Sequence, residues 1–330
     1  MRKLTETQKS KIAAVVIGRN EGQRLLLCLT SVKKRIASVV YVDSGSTDGS
    51  VALARKLGAY VVILDTSLPF TAARARNAGL AALRSNGLPD FVQFIDGDCE
   101  LQDGWTNTAR QFLESHPRAA VVCGRRRERF PERSVYNRLC NREWDTPVGL
   151  TRSCGGDTLM RWTALEQVGG FNPTLIAGEE PELCVRLRSK KWEIWRLDAD
   201  MTLHDANISR FSQWWMRMRR SGHAAAEGMA MHGAPPERHG VAAVGRAILW
   251  GLLLPIIIAV GTIAINPWIM VLLAIYPLQV LRLAIRKGGK WGDWEEACFL
   301  TIGKFPETQG ILMYLVTRAT QKKAMLIEYK

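Results

Sequence analysis

An α/β fold with a mostly parallel central sheet, followed by a hydrophobic helical hairpin, is predicted by three observations. Short apolar, β-branched runs alternate with helical segments through the first part of the chain, the signature of βαβ units. Polar clusters follow these runs, at the strand ends where ligands bind in parallel sheets. Two adjacent stretches without charge come later, each with its flanks approaching the roughly 20 residues that cross a bilayer.

The elements follow in order. "KIAAVVIG" is a first strand and ends at "RNEG". "EGQRLLLCLTSVKKR" reads as an amphipathic helix, and "SVVYVD" is a second strand that ends at "SGSTDGS". "VALARKLG" is a helix closed by Gly58, a residue favoured just past a helix end. "AYVVILD" is a third strand, "AARARNAGLAALRS" a helix, "FVQFID" a fourth strand and "AAVVCG" a fifth. The run "GRRRERFPERSVYNRLCNREWD" reads as a basic solvated loop, or as a surface for an anionic acceptor at the membrane. Ala247–Ile265 and Pro267–Leu281 carry no charge, and the joint "INP" between them carries none. Arg238 and Arg246 flank one side, and Arg282, Arg286, Lys287 and Lys290 the other. The positive-inside rule puts both flanks in the cytoplasm and the tight turn outside. The tail mixes apolar and basic residues, and either lies along the membrane face or packs on the globular domain. The expected layout is a catalytic domain over 1–232, a linker and transmembrane hairpin over 233–285, and a cytoplasmic interfacial helical tail over 286–330.

Bulk properties narrow the function classes. The 330 residues carry a formal net charge of +14, which favours an anionic partner: nucleic acid, an anionic membrane face or a phosphorylated substrate. No helix-turn-helix, RNP or zinc motif is present, and the basic residues flank the apolar runs, so nucleic acid is not the expected partner. No GxGxxG follows the first strand, which argues against a Rossmann dehydrogenase. The seven cysteines are scattered without a CxxC, indicating neither a disulfide framework nor a zinc knuckle and fitting a reducing compartment. "MRKLTETQKSK" is basic and polar, with no signal-peptide type of apolar run behind it.

In "FVQFIDGDCE", Asp96 and Asp98 stand one glycine apart. Like charges this close are unfavourable unless something positive sits between them. One reading is a turn after a strand; the other is a pair that awaits a divalent cation. Mn²⁺ or Mg²⁺ prefers such carboxylates.

The ordered set "VVIGRNEG", "VVYVDSGSTDGS", "ARARNAGL", "FVQFIDGDCE", "SCGGDTLMRW", "VGGFNPTLIAGEEPELCVRLR" and "HDA…FSQWWMRMRRSG" covers roughly residues 11–225. It resembles family 2 glycosyltransferases of the GT-A fold, of the kind found in bacterial polysaccharide assembly. The resemblance implies a nucleotide diphosphate sugar as donor, most often a UDP-sugar, and inversion of the anomeric centre by direct displacement. It implies Asp98 as a direct metal ligand, Asp96 holding the ribose or a metal-bound water, and His204 as a third ligand. Asp43 would contact base or ribose, with Asn20 and Glu21 beside it, and Arg76 would reach the base or diphosphate. Asp157 would bind a sugar hydroxyl of donor or acceptor. Asp48 reads instead as a helix cap.

A hydroxyl acceptor needs a carboxylate base. The family usually carries Glu-Asp where this chain reads "GEEPELC". Glu180 stands at the aspartate position and is favoured as the base, with Glu179 the alternative; both also complement a helix N-terminus. In "ISRFSQWWMRMRRSG", Ile208, Phe211, Trp214, Trp215 and Met218 follow helical spacing. That helix reads either as a membrane-surface element or as the carrier of Arg217 and Arg220 over the leaving diphosphate. "QWWMR" is not the QxxRW of processive relatives, which favours transfer of a single sugar. The implied acceptor is a lipid-linked glycan, and the implied place the inner face of a bacterial cytoplasmic membrane. The alternatives are a polyprenyl-phosphate sugar synthase, whose acceptor needs no base, and a non-catalytic basic membrane scaffold.

Overall fold

The computed structural model describes residues 11–85 and 87–320. The N-terminal basic segment before Lys11 and the end of the tail lie outside the described residues. By internal contacts the chain forms two compact units. One holds residues up to Phe130, Cys140–Leu175 and Glu179–Ala206; the other holds Pro131–Leu139, Ile176–Gly178 and the chain from Asn207 onward.

Nine strands build the first unit: β1 (Ile12–Gly18), β2 (Ser38–Asp43), β3 (Tyr60–Ile63), β4 (Phe91–Asp96), β5 (Cys99–Leu101), β6 (Ala119–Glu128), β7 (Gly149–Thr151), β8 (Thr158–Arg161) and β9 (Glu193–His204). They form one sheet in the order β3-β2-β1-β4-β8-β6-β9-β5, with β7 also paired to β9. β1, β2, β3 and β4 run parallel. Their helices are α1 (Gln23–Lys33), α2 (Ser50–Lys56), α3 (Ala72–Ser85) and α4 (Trp105–Ser115). Helices on the faces of a parallel sheet bury its strands on both sides, and the five central residues of β1 are accordingly buried. In α1 the buried side chains include Leu25, Cys28, Leu29 and Val32, the spacing of one helical face. α5 (Val135–Glu143), α6 (Trp162–Val168) and α7 (Glu179–Ser189) follow.

Register, more than element type, brings the polar residues together. Gly18 at the end of β1 pairs with Asp43 of β2, while Ile17 pairs with Asp96 of β4. The two aspartates thus flank the end of one strand. β8 runs antiparallel to β4, with Phe94 opposite Thr158, so Asp157 arrives beside the end of β4. β5 runs antiparallel to β9, with Cys99 opposite His204, which returns His204 to the neighbourhood of Asp98.

The "GRRRER" run is a correction to the sequence reading. Its first residues continue β6 instead of opening a loop. Parallel pairing with β9 extends from Ala119↔Glu193 to Glu128↔His204 through register shifts, and opposite charges hold the arginines. Arg125 pairs with Asp145 at 3.4 Å, Arg127 with Asp200 at 2.8 Å, and Arg129 with Glu100.

The second unit is helical: α8 (Phe211–His232), α9 (Val241–Ile248), α10 (Leu254–Ala264), α11 (Ile275–Lys287), α12 (Trp291–Ile302) and α13 (Lys304–Ala319). α8, read from sequence as part of the globular domain, belongs here. A Cβ on Gly222 of α8 would run into the Glu307 carbonyl oxygen, and one on Gly310 of α13 into that of Arg219. These glycines let the two helices meet backbone to backbone. Trp214 is buried, edge-on to Phe299 at 5.0 Å. The tail therefore packs, through α13, on a helix of its own unit.

Two helical stretches, Val241–Ala264 and Pro267–Lys287, have mean hydropathies of 2.4 and 1.9 and are long and apolar enough to cross a membrane. A π-turn at Leu249–Leu253 interrupts the first, and the second opens as a 3₁₀ helix over Pro267–Ala274. The Tyr276 hydroxyl donates to the Trp250 carbonyl at 2.7 Å, using an acceptor in the π-turn. Ile263, Ile265 and Trp268 are each at least 79% exposed. So much bare apolar surface is unfavourable in water.

Candidate active site

The polar loops at the ends of β1 and β2 fold on each other. Asn20 adopts φ 55°; its side-chain oxygen accepts from Thr47 N–H at 2.7 Å, and its own N–H donates to Ser46 Oγ at 2.9 Å. Asp43 is buried. It accepts from the N–H groups of Gly45 (2.9 Å) and Ser46 (2.8 Å) and from the Tyr41 hydroxyl (3.0 Å). Burial, then the charge of Asp43, push the Tyr41 hydroxyl far above its usual range. Glu21 lies 2.7 Å from Arg24. Asp48 accepts from Gly22 N–H at 2.9 Å and Ser50 N–H at 3.1 Å, so it ties the loop to the start of α2 from one position before the cap, which is Gly49 and not Asp48 as expected.

Asp96 and Asp98 meet different surroundings. Asp96 receives Arg76 Nη2 on one oxygen and Arg126 Nη2 on the other, each at 3.0 Å. Burial works to raise its pKa, but the two guanidiniums outweigh it and hold the carboxyl below the usual range. Asp98 Oδ2 lies 3.3 Å from His204 Nε2, and both side chains are at most 9% exposed. The Trp144 ring stands edge-on to His204 at 4.7 Å.

A metal can be tested against these groups. Ligand atoms of Asp98, Cys99 and His204 all lie within 4.8 Å of one another, as do those of Asp96, Cys99 and Asp157. The first set offers a hard carboxylate and an imidazole, donors that suit a divalent transition ion. The second set is already neutralised by arginine, because Arg126 also reaches Asp157 through Nε at 2.9 Å. A cation therefore fits the Asp98–His204 side.

Asp157 differs from its sequence reading. Oδ1 accepts from Asp96 N–H at 3.0 Å and Oδ2 from Thr202 Oγ1 at 2.7 Å, and the side chain is fully buried. Both oxygens thus serve the protein and fix the end of β4; the expected sugar contact is replaced by a structural one. A Cβ on the neighbouring Gly156 would lie 2.6 Å from Arg76 Nη2 and 2.9 Å from Asp96 Oδ2. Only glycine lets the "CGGD" loop pass this close to that ion pair.

Glu179 and Glu180 open α7. Arg76 Nη1 lies 2.9 Å from Glu179 and 2.7 Å from Glu180. Arg76 is 2% exposed, so it is not the solvated helix arginine its position on α3 allows. Burial raises the Glu180 carboxyl to about 7 despite the opposing pull of Arg76, with Glu179 and Asp96 adding to the rise. Arg217 and Arg220 lie on α8 in the helical unit. Arg220 Nη2 donates to the Ile176 carbonyl at 3.0 Å, which commits part of that guanidinium to backbone.

Sequence reasoning missed two residues. Arg126 joins Asp96 to Asp157 and lies over the Trp144 ring, 5.1 Å from its centroid. Glu128 is buried, accepts from Ala206 N–H at 3.0 Å, and lies 3.8 Å from His204 Nδ1. Strand alternation after "AAVVCG" was the signal available for both.

Residues 13–162 match the model of glycosyl transferase family 2. They form a family 2 glycosyltransferase domain. The structure superposes on the mannosyltransferase PcManGT from Pyrobaculum calidifontis, in complex with GDP-Man and Mn2+, with TM-score 0.66 over 93% of this chain and 88% of that one, at 19% identity. The family 2 domain thus has the GT-A fold. An uncharacterized glycosyltransferase, RC0292, of Rickettsia conorii is 36% identical over 34% of this chain and 38% of its own length. The succinoglycan biosynthesis protein ExoA of Rhizobium meliloti is 24% identical over 70% of this chain and 73% of its own. The first curated relatives are matched over only 30 to 38% of their lengths.

Proposed function

We propose that this chain is a membrane-anchored, inverting, metal-dependent glycosyltransferase. It moves one sugar from a nucleotide diphosphate sugar, with UDP-sugars first among donors, to a hydroxyl of a lipid-linked glycan in bacterial polysaccharide synthesis. One observation carries the reading: contacts run from His204 and Asp98, at the carboxyl end of the sheet, through Cys99 and Arg126 to Asp96, and on through Arg76 to Glu180. Cation-binding groups and a carboxylate near neutrality, on one run at strand ends, suit displacement at a diphosphate sugar.

Asp98 and His204 would hold Mn²⁺ or Mg²⁺, which when bound supplies charge neutralisation for the leaving diphosphate. Asp43, Asn20 and Glu21 line the nucleotide side. Glu180 removes the proton from the acceptor hydroxyl; a group titrating near the working pH is both available as a base and strong enough to take the proton. The relative named for succinoglycan biosynthesis supports a polysaccharide role, and the neighbour holding GDP-Man makes GDP-sugars the second donor class to try. The two apolar helices support a hairpin in the inner membrane, with the catalytic domain in the cytoplasm.

The test is release of nucleoside diphosphate by full-length protein in detergent from UDP-glucose, UDP-galactose, UDP-N-acetylglucosamine and GDP-mannose, with and without Mn²⁺. Asp98→Asn and Glu180→Gln serve as controls. Metal-dependent release from one donor, lost in both variants, is expected. Activity that survives Glu180→Gln removes the hydroxyl acceptor and leaves the lipid-phosphate one. Neither release nor metal-dependent nucleotide binding removes the transferase reading.

A further inference from the structure

We propose that Arg76 is a positioning residue for the base: its single guanidinium is shared by Asp96 and by Glu179 and Glu180, and it both aims Glu180 and keeps its carboxylate form accessible. The proposal rests on the reading of Glu180 as the base and adds the element that sets its state.

The geometry is specific. Nη2 points to Asp96 at 3.0 Å, while Nη1 serves Glu179 at 2.9 Å and Glu180 at 2.7 Å. The arginine has close surroundings: a Cβ on Gly156 would lie only 2.6 Å from Nη2, and the guanidinium lies 5.5 Å from the centre of the Phe171 ring. Two adjacent glutamates at a helix start, each at most 12% exposed, repel one another, and one cation between them offsets that repulsion. Two parallel guanidinium nitrogens facing different acids also fix direction, which a point charge such as lysine does less well.

The groups around Glu180 divide by sign. Arg76 on α3 lowers its proton affinity; Glu179 on its own helix and Asp96 at the end of β4 raise it. The Cys154 thiol, in the loop before β8, is close enough to sense Glu180 but is held neutral by its contact with Cys184 and by burial. Removing the cation and removing the neighbouring acid must therefore shift Glu180 in opposite directions. That pair of signs separates an electrostatic role for Arg76 from a merely structural one.

The experiment is a pH titration of the protonated-carboxyl infrared band of full-length protein in detergent. The Glu180 component is identified as the part lost in Glu180→Gln. Arg76→Gln should move its midpoint up by about one pH unit or more, and Glu179→Gln should move it down by a similar amount, each unit being about 1.4 kcal/mol. Arg76→Lys should fall between wild type and Arg76→Gln. Should Arg76→Gln fail to fold, the Glu179→Gln and Arg76→Lys shifts still decide. Unmoved midpoints, or shifts of equal sign in the Arg76 and Glu179 variants, overturn the proposal. Sugar transfer by Glu180→Gln at the wild-type rate would instead sink the base reading, while the infrared shifts would still report on Arg76.

Discussion

His204 Nε2 lies 3.3 Å from Asp98 Oδ2 although the two residues are more than a hundred positions apart in sequence. The antiparallel β5–β9 pairing closes that gap. If this pair holds the cation, Asp98→Asn and His204→Ala should each weaken Mn²⁺ binding by more than the roughly 10–100-fold that loss of an outer partner costs. Calorimetric titration of Mn²⁺ measures this without any sugar donor. Unchanged affinity in both variants would place the metal elsewhere. Chelation by EDTA should abolish nucleoside diphosphate release, and added Mn²⁺ should restore it.

Arg126 tests the other half of the site. It bridges Asp96 and Asp157, with Asp157 fully buried. Arg126→Met leaves a buried carboxylate without its cation, a change that typically costs about 3–5 kcal/mol. Thermal unfolding should show the loss, and Arg126→Met with Asp157→Asn should recover part of it, since the double variant no longer buries an unpaired charge. A double variant as unstable as the single one would contradict this account.

Much of the α/β domain was legible in sequence because its strands are short apolar runs between turn residues, as in "KIAAVVIG" and "SVVYVD". Asp96, Asp98 and Glu180 stood out for a similar reason: acids are rarely placed at the ends of buried elements without a partner. Arg126 did not, because a triple arginine reads as solvent-facing until β9 pairs along it and supplies Asp200. Nor could the sequence reveal that Asp157 faces inward, since that depends on β8 running antiparallel to β4. Alternation along a strand separates two faces, and in both cases only the non-local pairing decides which face turns inward.

The pH dependence of transfer has a definite sign. Glu180 must be deprotonated to act, and burial raises its carboxyl to about 7. The rate at limiting substrate should therefore rise about tenfold per pH unit on the acid side and level off above neutrality. A flat profile between pH 5 and 8, with chemistry shown to limit the rate, would exclude this carboxylate as the base.

Glu227 on α8 predicts a stability effect. Burial raises its carboxyl from 4.5 to about 7, and its Oε2, 3.7 Å from His223 Nδ1, has no hydrogen-bond partner among the described residues. The folded state then binds more protons than the unfolded one between those values, so stability falls as pH rises through this window. His223, lowered from 6.5 to about 4 by burial and then by Arg220, acts in the opposite sense and gains stability as pH rises from 4 to 6.5. Glu227→Gln should remove the first effect only. The variant should match wild type near pH 4 and exceed it at pH 8 by up to about 3 kcal/mol, read from thermal unfolding at both pH values. Equal pH dependence in the two proteins would show that Glu227 ionises freely.

Ile256 separates a membrane hairpin from a helical pair of a soluble protein. It lies within Val241–Ala264 and is 50% exposed. In water, an arginine at so exposed a position would be neutral for stability and favourable for solubility. In a bilayer, an arginine near the centre of a span costs about 2.5–3.5 kcal/mol on insertion scales. That is a large part of what one span of this hydropathy gains, and the second span, Pro267–Lys287, depends on the first for its entry. Ile256→Arg should therefore shift protein from the carbonate-resistant membrane fraction to the soluble or aggregated fraction. A conservative Ile256→Leu should not. An arginine variant that stays soluble, folded and monomeric, from a wild type that was never in the membrane fraction, would remove the anchor and with it the lipid-linked acceptor.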